Sequence, residues 1–100
     1  MNDPIAFLKS AMQALPSDPS ETTEDHLDTI VAINRGLQLH AARIIAEMGE
    51  AHDPSRLIRL RTEGSLCDLA HLSLTKYAGR AAEVHGLTLD GLMAGRRSET

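Results

Sequence analysis

Between Thr23 and Met48, apolar residues recur at steps of three and four. They are Leu27, Ile30, Val31, Leu37, Ala41, Ile44, Ile45 and Met48, with Asn34 in the same row. That period lines one side of an α-helix, whereas a strand would alternate faces at every residue. Thr22 or Thr23 can cap the start of this helix, and Gly49 ends it. The pattern predicts a long helix over 24–48 as the central member of an all-α bundle of four to five helices. Ile30, Val31, Leu37, Ile44 and Ile45 are its expected core residues. Gly36 interrupts the row at about 1 kcal/mol relative to alanine, which points to close helix packing at that position.

Shorter helices flank it. Asp3-Pro4 is a helix start, because the carboxylate accepts from free amides and proline's fixed φ suits the first helical position. Ile5, Leu8, Met12 and Leu15 then give one apolar face, so a first helix is expected over about 4–15, stopped by Pro16. Residues 16–23 have the Pro, Ser, Asp and Thr composition of a linker. Asp53-Pro54 repeats the earlier start and opens a third helix running to about Glu63. Gly64-Ser65 offers a break with Ser65 and Asp68 as a variant capping box, and a further helix follows from Leu66 to His85. An unbroken helix over 54–78 is the alternative. Gly86 suits a left-handed C-terminal position, and Thr88 caps a last short helix through Met93, leaving a polar tail at 96–100.

One hundred residues make one domain. Phe7 and Tyr77 are the only aromatics, so an aliphatic core is expected, and their scarcity counts against a base-stacking surface for single-stranded nucleic acid. Charge is distributed unevenly. Residues 1–30 hold six acids against Lys9 alone, net −5, while residues 31–100 hold nine bases and eight acids, net +1. An acidic front is a poor ligand for phosphate backbones and a good one for a basic protein surface. Asp18, Glu21, Glu24, Asp25 and Asp28 form that front, although Glu24, Asp25 and Asp28 also complement the positive end of the long helix. Arg56, Arg59 and Arg61 form a second candidate contact set, with Arg59 spaced to pair with Glu63 and Arg61 lying around the cylinder from the other two. An apolar stripe left exposed would favour a homodimer.

Little suggests catalysis. Of five histidines no two lie three or four apart, and the only ligand-like helical pair is Cys67 with His71. Structural zinc needs four ligands, so neither a metal nor any other cofactor is expected. The leucines around Cys67 suggest a buried thiol, not a nucleophile, and no enzymatic activity is expected. With one cysteine, no basic-apolar leader and no long apolar run, a cytoplasmic protein is expected, with neither membrane nor direct nucleic-acid contact.

Two resemblances bear on function. Residues 82–93, Ala-Glu-Val-His-Gly-Leu-Thr-Leu-Asp-Gly-Leu-Met, resemble the closing helices of repressor-type helix-turn-helix domains, which would imply a small transcriptional regulator. In overall character (length, a single domain, acidity, no catalytic motif) the chain resembles small phage-encoded inhibitors, particularly anti-CRISPR proteins. That resemblance implies a non-enzymatic protein that binds a bacterial CRISPR–Cas surveillance complex in the host cytoplasm and blocks its target DNA. Asp18, Glu21, Glu24, Asp25 and Asp28 would then face a basic, nucleic-acid-binding surface.

Overall fold

Three Asp-Pro pairs punctuate the backbone. Each aspartate carboxylate accepts from the amide two residues on: Asp3 from Ile5 at 3.0 Å, Asp18 from Ser20 at 3.0 Å and Asp53 from Ser55 at 3.1 Å. In the computed structural model, which describes residues 3–95, these caps open α1 (Pro4–Met12), a short 3-10 turn (Pro19–Glu21) and α3 (Pro54–Val84). Thr23 caps α2 (Glu24–Glu50) and Thr88 caps α4 (Leu89–Met93), its Oγ1 accepting from Gly91 N at 2.9 Å. No strand occurs among the described residues, so the fold is all-α. The tail at 96–100 lies outside the described residues.

The helix starting at Pro54 is unbroken to Val84, against the expected break at Gly64-Ser65. Gly64 is absent from the two glycines with positive φ, and a Cβ there would meet only Ile44 Cγ2, at 3.9 Å. Leu60 and Cys67 of α3, on either side of it, cluster with Ile44 of α2, and that burial outweighs the roughly 1 kcal/mol that glycine costs a helix. The element in contact with every other is consequently α3, not the helix over 24–48. At 31 residues it is about 46 Å long, close to the 49 Å longest dimension of the molecule. α1 stops at Met12, short of Leu15. Three successive i+3 bonds, from Gln13, Ala14 and Leu15, tighten the chain ahead of Pro16, which disfavours helical φ/ψ in the residue before it.

The main core joins Leu8 and Leu15, the α2 row from Leu27 to Leu37, α3 from Ala70 to Ala82, and Leu92 of α4. Four alanine positions at or near zero exposure (Ala70, Ala78, Ala81 and Ala82) let neighbouring elements approach α3 closely. Gly36 has the packing role expected of it: a Cβ there would lie 2.9 Å from Phe7 Cζ. The C-terminus of α3 closes in a Schellman arrangement, with Leu87 N donating to Ala82 O at 2.9 Å and Gly86 N to Glu83 O at 3.2 Å, Gly86 at φ 70°. Beyond the main core α2 and α3 continue as a two-helix arm. A small second cluster of Ile44, Leu60 and Cys67 fills it, with Ala41, Met48 and Ala51 alongside. No helix among the described residues is long and apolar enough to cross a membrane.

Candidate interaction surface

The acidic residues gather at one pole. Asp18, Glu21, Glu24, Asp25 and Asp28 are all exposed, on the 3-10 turn and the first turns of α2. Several have local duties. Asp18 caps the 3-10 turn, and its carboxyl is held below the usual range chiefly by hydrogen bonds from Ser20, with Arg80 adding a weaker attraction. Glu24 and Asp25 complement the positive end of α2, and Glu24 and Asp28 are engaged within the fold.

The segment carrying Asp18 and Glu21 is tied to α3. Tyr77 donates its hydroxyl proton to Pro16 O, and its burial, with Asp18 nearby, pushes the phenol pKa up. Thr22 is buried, donates to Pro19 O at 2.9 Å, and lies against His85, whose Nε2 is 2.9 Å from Thr22 O and 3.2 Å from Thr22 Oγ1. His26 has a role that the sequence reading missed. Its Nδ1 accepts from Thr23 N at 2.9 Å, doing what glutamate does three residues after a helix cap. A Thr-x-x-His spacing was the available signal.

The arginines belong to the other end. From Glu24 to Glu50 α2 rises about 39 Å, so the acidic pole and the α2–α3 arm are not one site. Within the arm the three arginines divide. Arg56 Nη2 lies 3.4 Å from Glu47 Oε1, and Arg56 and Arg59 line a shallow cleft with Glu47, Leu60 and Glu63. Glu47 also receives Arg43 Nη1 at 2.6 Å, the main cause of its lowered carboxyl pKa. The expected Arg59–Glu63 pair is not among the ion pairs of the described residues. Glu63 lies 3.9 Å from Arg43 instead, because the second helix supplies a competing cation. The Arg43–Glu47 spacing was legible in the sequence; its extension to Arg56 and Glu63 depends on the turn between helices.

Arg61 lines a groove of about 440 Å³ between α2 and α3. Ile44, Ile45, Met48, Leu60 and Cys67 contribute to it, with Arg61, Gly64, Ser65 and Asp68 along α3. Ile45 was expected in the core but is 70% exposed, against 2% for Ile44. Among the described residues only α3 covers α2 in the arm, so the buried stripe narrows and Ile45 falls outside it. Leu39, Ile58, Leu69, Leu72 and Val84 are likewise exposed.

Cys67 and His71 do not form a reactive pair. Cys67 is buried, its thiol directed at Leu37 O at 3.5 Å, and His71 is exposed. Burial, helped by Asp68, raises the thiol pKa, the opposite of what activates a nucleophile. Among the described residues no group of three or more His, Cys, Asp or Glu is arranged to hold a metal ion. The stretch over 82–93 does form a helix, a turn and a helix, but α4 is five residues long and Leu92 is wholly buried. Comparison with known protein families, curated proteins and solved structures yielded no match.

Proposed function

We propose that this chain is a non-enzymatic protein-binding module, an inhibitor of the anti-CRISPR type that masks a basic surface of a bacterial CRISPR–Cas surveillance complex. The observation that carries the reading is the acidic pole. Of its five exposed carboxylates, Asp18 and Glu21 sit on a segment that Tyr77 and His85 hold against α3, and Glu24, Asp25 and Asp28 sit on the first turns of α2, so their charge is presented on a fixed surface. A negative surface held in place is complementary to a protein channel that binds a phosphate backbone, and it attracts that channel at long range. The pole leaves α4 and the arm free of any required role in contact with DNA.

The test is a competition. Excess protein added to a surveillance complex should reduce its capture of labelled target duplex, while the protein alone retains none of that duplex. Specific duplex binding by the protein itself at physiological salt would reject the inhibitor reading in favour of a small helical regulator.

A further inference from the structure

The arm carries a pattern unrelated to the acidic pole. Along α3, Leu57, Arg61, Gly64, Ser65, Asp68 and Leu72 follow one another at steps of four, three, one, three and four. At 100° per residue they occupy a single face spanning about 100° of the helix. Reversing the order about the midpoint of Gly64 and Ser65 exchanges Leu57 with Leu72, Arg61 with Asp68, and Gly64 with Ser65. Apolar therefore meets apolar, cation meets anion, and the two smallest side chains meet at the centre.

We propose that this face is the contact between two copies of the chain, with α3 crossing its own copy antiparallel about a two-fold axis at Gly64 and Ser65. A two-fold contact requires one patch to complement itself, residue i meeting j while j meets i. Arg61 and Asp68 satisfy this in charge: two like residues in these places would repel across the axis. Both are exposed along the groove, and neither is paired with the other within one chain, being seven residues apart. Leu72, 53% exposed, and half-buried Leu57 would flank them, and Ile45 of α2, 70% exposed on the same groove, would be covered by the second copy. Gly64 and Ser65 at the axis let the two backbones come close. The arm, which α1 and α4 leave as two helices, becomes part of a four-helix bundle.

Sedimentation equilibrium of the full chain tests this, with helicity checked by circular dichroism. The wild type should approach twice the 10.8 kDa chain mass as concentration rises. Arg61→Asp or Asp68→Arg alone should weaken the dimer at least about tenfold, since each sets like charges opposite each other twice. The double variant, with the charges exchanged, should recover to within about threefold of wild type. Ser65→Cys should form a disulfide-linked dimer on mild oxidation, whereas Glu83→Cys, exposed elsewhere on α3, should not. A monomer at every concentration overturns the proposal and leaves the groove to a different protein. A dimer that ignores both single reversals, or a double variant no better than the singles, overturns it equally.

Discussion

The ring of Phe7 rests on Gly36: a Cβ added there would stand 2.9 Å from Phe7 Cζ. The glycine weakens α2 locally and lets α1 approach it. Gly36→Ala therefore has two opposed effects, a gain of about 1 kcal/mol in helix propensity and the displacement of a ring that is only partly buried. In the wild type they should nearly cancel. In a Phe7→Ala background, the same substitution should stabilise by about 1 kcal/mol in urea unfolding. An equal effect in both backgrounds would show that the two residues are uncoupled.

The start of α2 depends on His26. Removing its ring by His26→Ala should cost about 0.5–2 kcal/mol, as loss of a helix cap does, because Thr23 N loses its acceptor. His26→Gln, which can reach the same amide, should restore most of that stability in chemical denaturation. Failure of glutamine to rescue would assign the loss to packing instead.

Adjacent isoleucines should behave differently. Ile44→Ala empties a buried position and should destabilise by roughly 2–5 kcal/mol. Ile45→Ala, at a position 70% exposed, should cost under about 0.5 kcal/mol in dilute solution. Comparable losses at the two positions would place Ile45 in the core after all.

How far the sequence determines this fold is visible at those two positions. The three-and-four period located Ile30, Val31, Leu37 and Ile44 because α2 packs along that line throughout its length. It does not give the width of the covered stripe, which depends on how many elements flank α2 at each level, so it does not separate exposed Ile45 from buried Ile44. The caps at Asp3, Asp53 and Thr88 were legible because the chemistry is local. Gly64 was not, since a glycine's helix cost is local while the packing of Leu60 and Cys67 on Ile44 that opposes it involves another helix. Likewise, the separation of Arg61 from Arg56 and Arg59 follows from helical phase, but Glu47 as partner of Arg56 requires the turn between α2 and α3. The acidic front was visible as a run of residues; the attachment of its Asp18 and Glu21 segment to α3 through Tyr77 and His85 was not.

Alkaline pH should weaken the fold. The thiol of Cys67 and the phenol of Tyr77 both have pKa values raised by burial above their ordinary ones. The unfolded chain therefore loses these protons first. Their contribution is complete below the unfolded values and declines as pH rises through the folded ones. Stability measured in urea should fall as pH climbs past the ordinary thiol range, and Cys67→Ala should flatten the first part of that decline. A profile identical in the variant would mean that the thiol does not contribute.

The functional account turns on the acidic pole, and the binding kinetics of a charge-reversed variant test it most directly. Glu21, Glu24 and Asp25 are exposed, so reversing all three to lysine should leave the protein folded, at some cost to the start of α2. Binding to an immobilised CRISPR–Cas surveillance complex should be severely weakened by the triple reversal, and wild-type association should slow as salt rises. Near-neutral behaviour of that variant, together with loss of binding when Arg56, Arg59 and Arg61 are substituted, would contradict the account and move the contact to the arm.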